Sequence, residues 1–516
     1  MSLVRSIATV SGFTLLSRLL GFARDILIAA MLGAGGMADA FFVAFKFPNL
    51  FRRLFGEGAF SVAFIPLLAG DIEKRGIEEA RDFAANALSI MVVVTGFLVA
   101  IIEIIMPWAM LVFAPGFSED PEKFHLSIEL ARITFPYLAF ISAVALMSGI
   151  LNTLHRYAAA AAAPVVLNIF MIGALLGLSP ITQTPSHALA WGVMMAGIGQ
   201  FVWLVIACKR AGFAIRLQMP RLDDKVKLLG KRMIPGMIGV GVYQLNLLVD
   251  TMLASMVSDG AVSWLYYADR VHQLPLGVIG IAIGTAMLPT LSRQLQGKDP
   301  SVAMYSQNRG IEIALLLTLP AAVALAVMGI PIINVLFQRG AFTASETSAT
   351  GMALTIFACG LPASVLVKVL APGFFAREDT KTPIRIGITC MVLNIGMIVV
   401  LMPFFGHLGI AAATAVSSWI NAVSLGITLH KRKHLVLDPR LKRRIPLIFL
   451  SSALMGVTLW AAIFTLWDAQ SSAIIRMTTM AGIVMTGMVI YAVIAQLSGA
   501  ASFRELKSTL RRGNPA

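Results

Sequence analysis

The sequence predicts an all-α integral membrane protein: about fourteen transmembrane helices, in two pseudo-symmetric six-helix lobes around a central cationic cavity, plus two C-terminal helices. Three observations predict this architecture. Apolar stretches of about 20 residues, each able to cross roughly 30 Å of hydrocarbon, recur along the whole chain. Hydrophobic residues make up 58% and charged residues 13% of the 516 residues, which excludes a sizeable soluble domain. Motifs of the first half also recur in the second half.

Hydropathy divides the chain into spans that are joined by short loops. The second span is too long for a plain crossing and carries Lys46, Arg52, Arg53 and Glu57, so we expect its latter half to be shielded by protein or to reach the cytosol. The predicted spans are 7–32, 37–67, 83–113, 131–153, 159–179, 186–208, 228–257, 262–291, 310–337, 347–372, 383–403, 407–430, 444–466 and 475–498.

The distribution of Lys and Arg predicts the orientation in the membrane. Thirty of the 41 basic residues fall in one alternating set of loops and termini, and four fall in the other set. Because cytoplasmic loops are enriched in Lys and Arg, both termini are predicted to be cytoplasmic. Topology therefore explains the net charge of +15 better than nucleic-acid binding does. The four basic residues on the outer side are Lys123, Arg132, Arg339 and Arg476.

An internal repeat relates the two halves of the chain. The motif VLNI at 166–169 recurs 226 residues later at 392–395, and the aromatic-x-Ala-x-basic pattern that ends at Lys46 recurs 224 residues later, ending at Arg270. Transporters built from repeats place the substrate site between them, near mid-bilayer. The predicted divisions are an N-terminal six-helix lobe at 1–222, a C-terminal six-helix lobe at 223–438, and two extra helices with a cytoplasmic tail at 439–516.

The remaining seven basic residues belong to neither set of loops and span ends, and they lie within the predicted spans. A charge at mid-bilayer costs roughly 2.5–3.5 kcal/mol on insertion scales, so a group of such residues predicts a polar cavity within the helices. The planar guanidinium of arginine forms bidentate, charge-assisted bonds, which suit a diphosphate or another polyanion. The seven residues are Arg18, Arg24, Lys46, Arg52, Arg53, Arg270 and Lys368.

Several of these cations also have a purely structural interpretation. Arg24 can form an ion pair with Asp25, and Arg18 can snorkel to the cytoplasm. Arg52 can belong to an inside-positive flank of its span. Lys368 lies close enough to the predicted cytoplasmic side to snorkel as well, so we place it only as a possible cavity residue, as we do Lys46.

Acidic residues near the cations are candidates for gates. Asp39 begins the second span on the outer side, where it is either a solvated cap or an outer-gate residue that pairs with a cavity cation. Arg53 and Glu57 are four residues apart and can pair on one helix face. Asp269 adjoins Arg270 in the second half and is placed with the gating candidates.

The sequence lacks the motifs of nucleotide-driven or enzymatic chemistry. There is no GxxxxGK[ST] phosphate-binding loop, and no Ser/His/Asp or Cys/His set suggests a nucleophile. The Cys and His residues have no metal-ligand spacing. We therefore expect a transporter without a metal or another cofactor, driven by the membrane potential, an ion gradient or the free energy of the substrate.

Four segments resemble one family, the MurJ (MviN) lipid II flippases of the multidrug/oligosaccharidyl-lipid/polysaccharide exporter superfamily. The resemblance runs along essentially the whole chain, including the last two helices. The segments are SRLLGFARD, GMADAFFVAFKFPNLFRRLFGEGAFSVAFIPLL, SWLYYADR and VKVLAPGFFAREDTKTP.

The resemblance implies a bacterial inner-membrane flippase that moves lipid II, an undecaprenyl-diphosphate amphiphile, to the outer leaflet by alternating access, with the lipid tail in a groove of the last two helices. Membrane lipids and proteins of cell-wall synthesis are the implied partners, and nucleic acid is not. One departure is Gln273, which stands where some family members carry an acid. The implied substrate-binding residues are Arg18, Arg24, Arg52 and Arg270; the implied gating residues are Asp39 at the outer end and Arg53 and Glu57 at the inner end.

Three rival functions make different predictions. A cation-coupled multidrug antiporter should have a cavity dominated by carboxylates, whereas arginines dominate here. An enzyme acting on polyprenyl phosphates should have clustered Asp or His near a membrane face. A scaffold without transport activity would leave the intramembrane cations unexplained.

Overall fold

The computed structural model describes residues 3–53, 59–297 and 301–501, and within these ranges the chain is helical and contains no strands. Ten helices form the first part of the chain: α1 (Leu3–Leu32), α2 (Gly36–Arg52), α3 (Ala59–Arg75), α4 (Ile77–Ile104), α5 (Met106–Phe113), α6 (Pro121–Thr134), α7 (Tyr137–Thr153), α8 (Tyr157–Leu178), α9 (Pro185–Arg210) and α10 (Asp224–Ser255).

Nine further helices complete the described chain, and the first two are joined by a π-helical turn, Leu276–Gly280. They are α11 (Ala261–Pro275), α12 (Ile281–Leu295), α13 (Ser301–Val327), α14 (Gly329–Phe337), α15 (Ala344–Phe375), α16 (Lys381–Phe405), α17 (His407–Lys431), α18 (Pro439–Leu466) and α19 (Ala473–Ser498).

Eleven helical segments among the described residues are long and apolar enough to cross a membrane. Their outward surfaces are apolar, as the exposed Phe464 and Leu497 of the last two helices illustrate. Six helices fall outside these eleven segments: the short helices α5 and α14, and also α1, α2, α3 and α10. Helices α1 and α2 carry Arg18, Arg24 and Lys46, whereas Arg270 and Lys368 lie within two of the eleven apolar segments.

Some predicted spans are divided between two helices where the sequence predicts one continuous crossing. The span 37–67 includes α2 and α3, and residues 54–58 between them lie outside the described residues. The span 83–113 is divided at Ile105, two residues before Pro107, and 310–337 is divided at Met328, three residues before Pro331. Proline lacks an N–H and disfavours the helical conformation of the residue before it, so helices tend to restart near it.

The chain forms two compact units. The first comprises Met1–Ser263 with Arg339–Phe342, and the second comprises Trp264–Gln338 with Thr343–Ala516. Within the first unit α8 packs against both α1 and α9, and within the second α18 packs against α13 and α19. The division at 222 follows the sequence repeat and stays a prediction about lobes.

Candidate functional site

Arg24 of α1 is a buried arginine with protein partners on two helices. Its Nη2 lies 2.7 Å from Asp25 Oδ1, and its Nη1 donates to Asn168 Oδ1 on α8 at 3.0 Å. Asn168 Nδ2 in turn donates to the carbonyl oxygen of Ser17 at 3.0 Å, so this amide joins α8 to α1 twice. The Arg24–Asp25 ion pair, which the structural interpretation predicted, is therefore present in this conformation. Binding of a substrate by Arg24 stays a prediction.

Arg18 lies on the same helix in a different environment. Its side chain is exposed, and it forms no hydrogen bond or ion pair with any residue in the described ranges. Six residues separate it from Arg24, so the two side chains leave α1 on different faces. Helix α1 therefore carries one guanidinium engaged by protein and one available to an external anion.

The cations Lys46 and Arg52 of α2 are half-buried, and each donates a hydrogen bond to a neutral side chain. Lys46 Nζ donates to Thr251 Oγ1 on α10 at 3.1 Å. Arg52 Nε donates at 2.9 Å to a side-chain amide one turn earlier in α2. Arg53 follows as the C-cap of the helix. Glu57, its predicted partner, lies outside the described residues, so the Arg53–Glu57 pair stays a prediction.

Asp39, in the first turn of α2, has no exposed surface and accepts four hydrogen bonds. Its Oδ2 accepts from Lys123 Nζ at 2.9 Å and from the Gly260 N–H at 2.8 Å. Its Oδ1 accepts from the Ser263 N–H at 2.8 Å and from the Ser263 hydroxyl at 2.6 Å. A buried carboxylate needs such compensation. Asp39 is therefore no solvated cap, and it links the start of α2 to Gly260 and to the first turn of α11.

Lys123 is the residue that sequence reasoning missed. It is 6% exposed, its Nζ lies 2.6 Å from Asp259 Oδ1 as well as 2.9 Å from Asp39, and it sits 4.1 Å from the centre of the Phe117 ring. A signal was available, because Lys123 is one of only four basic residues that the topology places on the outer side. The pairing itself could not be predicted, because Lys123 and Asp39 are 84 positions apart in the sequence.

In the second unit, Arg270 of α11 is half-buried against an aromatic ring. Its Nη2 donates to the Tyr266 hydroxyl at 2.8 Å, and its guanidinium lies 4.8 Å from the centre of the same ring. The neighbouring Asp269 accepts a hydrogen bond from Gln273 Nε2. Gln273, the departure from the family pattern, thus gives Asp269 a neutral partner one turn away.

Lys368 is an exposed cation within the long helix α15. It forms no hydrogen bond or ion pair with a residue that the structure describes. Its aliphatic stem passes so close to Gly280 that a Cβ on this glycine would lie 2.9 Å from Lys368 Cδ. A small residue at 280 therefore makes room for the lysine stem.

The chemistry that these cationic side chains support is the binding and release of anions. Within the described residues no group of three or more His, Cys, Asp or Glu could hold a metal ion. The unpartnered cations Arg18 and Lys368 are free to meet an anionic group, whereas Arg24 must first exchange Asp25 for it. Arg18 and Arg24 belong to the first unit, and Arg270 and Lys368 belong to the second.

The chain is similar to proteins of one family along its whole length. The family model described as "Lipid II flippase MurJ" matches residues 28–482. A protein of Rhizobium tropici named "Probable lipid II flippase MurJ" is 44% identical over all of this chain and 98% of its own length.

Solved structures give the same result for the fold. A structure described as "Lipid II flippase MurJ, inward closed conformation" is 26% identical, covers 96% of this chain and 99% of its own, and has a TM-score of 0.80. An inward-facing multidrug resistance MATE family transporter of the MOP superfamily is 16% identical over 81% of this chain and 94% of its own, with a TM-score of 0.68, which shows a shared fold alone.

Proposed function

The chain belongs to the MurJ family of lipid II flippases, and on that basis we infer that it is a lipid II flippase, which moves the undecaprenyl-diphosphate-linked peptidoglycan precursor to the outer leaflet by alternating access. The observation that carries this function is the identity of 44% over the whole chain. The family expected from the sequence motifs is confirmed. A multi-pass location in the inner membrane follows from the family and from the eleven apolar helices.

We propose a finer architecture of fourteen spans with both termini in the cytoplasm, arranged as lobes 1–222 and 223–438 and a helix pair within 439–516. Its support is that every predicted span overlaps at least one described helix. The excess of basic residues in one set of loops supports the orientation.

We propose that Arg18, Arg24, Arg52 and Arg270 bind the diphosphate and head group of the lipid. Arg18 supports this assignment most directly, because an unpartnered guanidinium in an intramembrane helix is costly unless it faces water or an anion. Arg24 would bind the diphosphate by exchanging one anionic partner, Asp25, for another. Lys46 and Lys368 are proposed as secondary cations of the same cavity.

We propose that the two ends of the cavity open and close through separate groups of charges. The outer group is Asp39 with Lys123, and its support is the burial of the pair and its link to Ser263. The inner group is Arg53 with Glu57. Asp269 is proposed to contribute to gating from the second half. Its hydrogen-bond partner Gln273 stands at the position where some family members carry an acid.

Export of an anion can be driven by the membrane potential, without nucleotide hydrolysis or a cofactor. An inside-negative potential favours outward movement of negative charge by roughly 2.3 kcal/mol per charge per 100 mV. We propose this drive, or an ion gradient, as the energy source. Contacts with proteins of cell-wall synthesis are proposed as well.

Depletion of the protein in its own cells, combined with an assay of lipid II on the outer leaflet, tests the function. Exposure of lipid II should fall as the protein is lost, and a plasmid copy should restore it. Undiminished exposure in cells without another flippase would contradict the assignment.

A further inference from the structure

A small cavity lies in the first unit where α9 ends and α8 begins, away from Asp39 and Arg24. Its volume is about 280 Å³, and Arg156, just before α8, and Arg210, at the end of α9, both line it. Leu151, Ile206 and Ala207 contribute the apolar part of the lining. The cavity therefore combines two positive charges with an apolar floor.

Neither arginine side chain has a partner within the part of the chain that the structure describes. The guanidinium groups of Arg156 and Arg210 form no hydrogen bond or ion pair with any described residue. By contrast, Arg81 of the same unit binds both Glu78 and the Gly212 carbonyl. Two unpartnered guanidinium groups at one cavity attract an anion with several acceptor oxygens, because each can donate more than one hydrogen bond.

The backbone adds to this positive character. Arg156 is the N-cap of the 22-residue helix α8, and no side chain caps the helix there. The first N–H groups of a helix have no partner within it, and the helix dipole favours negative charge at this end. Tyr157 and Ala158, the first two residues of α8, line the same cavity.

The apolar side of the cavity continues onto the membrane-facing surface. Ile206 lines the cavity and is 43% exposed, and Val202, one turn earlier in α9, is 47% exposed. The Trp203 indole is fixed beside them by a bond from Nε1 to the Ala159 carbonyl at 3.1 Å. Tryptophan is characteristic of the interface between hydrocarbon and head groups. An occupant with an anionic head and an apolar tail matches this arrangement better than a soluble anion does.

We propose that this cavity binds the phosphate head group of an anionic phospholipid of the surrounding leaflet, with the acyl chains lying along α9. Ligand pockets for drug-sized molecules begin at roughly 300 Å³, so the volume suits a head group rather than a sugar-peptide head. Basic pockets between transmembrane helices at the cytoplasmic face are suited to anionic lipid head groups. The positive-inside rule places Arg156 and Arg210 on that face.

Lipid titration of the purified full-length chain, followed by native mass spectrometry, tests the proposal. The probes are phosphatidylglycerol and the zwitterionic phosphatidylcholine. Arg156→Gln and Arg210→Gln should each weaken phosphatidylglycerol binding about fivefold and leave phosphatidylcholine binding unchanged. Lys209→Gln is the matched control, because it removes the same charge one residue away from Arg210 without lining the cavity. Equal effects of all three variants would overturn the site.

A further variant fills the cavity without removing either arginine, so it separates the effect of the cavity space from the effect of the positive charge. Ala207→Phe keeps both arginines and fills the apolar floor, so it should reduce phosphatidylglycerol binding at least as strongly as Arg210→Gln. Undiminished binding by this variant would overturn the cavity as the binding place. A competition experiment with equimolar undecaprenyl diphosphate tests the occupant. If this lipid displaces phosphatidylglycerol from the wild type but not from Arg156→Gln, the assignment is overturned, because the site would then belong to the transported lipid.

Discussion

Lys123 and Asp39 form an ion pair with 2.9 Å between Nζ and Oδ2, in which the lysine is 6% exposed and the carboxylate is fully buried. The pair joins α6 to the start of α2, and the same carboxylate holds the Gly260 and Ser263 N–H groups. A buried pair of this kind adds little net stability as a unit, but loss of one partner leaves an uncompensated charge.

Lys123→Met is therefore expected to destabilise the protein by roughly 3–5 kcal/mol, since Asp39 would stay buried without a cation. The midpoint of thermal unfolding in detergent measures this loss. The matched control is Asp259→Asn, which removes the partner that is 67% exposed and should cost less than about 1 kcal/mol. Adding Asp39→Asn to Lys123→Met should recover part of the loss. Equal midpoints for Lys123→Met and Asp259→Asn would contradict the pairing as described.

Arg18→Ala and Arg24→Ala should separate transport from stability. Arg18 has no partner among the described residues, so its loss should leave the unfolding midpoint unchanged while abolishing complementation of a depleted strain. Arg24→Ala should lower the midpoint as well, because Asp25 and Asn168 lose a buried donor. Outer-leaflet lipid II and the midpoint are measured for both. Full complementation by Arg18→Ala would refute its proposed contact with the diphosphate.

Glu312 of α13 is the centre of a second buried charge cluster, and Glu312→Gln should loosen the C-terminal helix pair. Its carboxylate binds Arg309, Arg440 and Arg444, of which the last two belong to α18. Removing the charge leaves three neighbouring cations and should cost roughly 3–5 kcal/mol. Protease susceptibility of the α17–α18 loop and the unfolding midpoint report it. The control is Glu78→Gln, which removes a carboxylate that is 79% exposed in its ion pair. If Glu312→Gln shifts the midpoint no more than this control does, the cluster does not hold α18 against α13.

Asp379 makes stability depend on pH in the acid range. Hydrogen bonds from the Thr382 hydroxyl and N–H, and then from Arg432, hold the pKa of this loop carboxyl well below its ordinary value of 3.8. The stabilisation is therefore complete above pH 3.8 and is lost as the pH falls toward the lower pKa of the folded state. The midpoint difference between the wild type and Asp379→Asn should be constant from pH 7 to 5 and shrink below pH 4. A difference that grows on acidification would contradict this assignment.

The sequence was sufficient for the helical class, the cationic spans and the family, because hydropathy and intramembrane charge are properties of short segments. It also predicted the Arg24–Asp25 ion pair as one of two interpretations of Arg24, since the two residues are adjacent. The Asn168 contact could not be derived, because it depends on how α8 packs against α1. The interruptions at Ile105 and Met328 were missed because hydropathy does not register the backbone effect of proline.

Lys123 shows the same limit at the candidate gate. Its position on the outer side followed from topology, but its partners lie 84 and 136 residues away, and no periodicity within a segment links them. For Asp39 the sequence left a solvated cap and an outer-gate residue as alternatives, and its burial, which depends on the fold, rules out the solvated cap.

The burial of Asp39 also sets an order of events. Both of its oxygens already accept two hydrogen bonds, and the residue has no exposed surface, so the carboxylate is separated from solvent in this conformation. We expect proton exchange at Asp39 to be slow until its contacts with Lys123, Gly260 and Ser263 open. If Asp39 acts as the proposed gate, its protonation would therefore follow opening, whereas Asp259, which is 67% exposed, can exchange protons in this conformation.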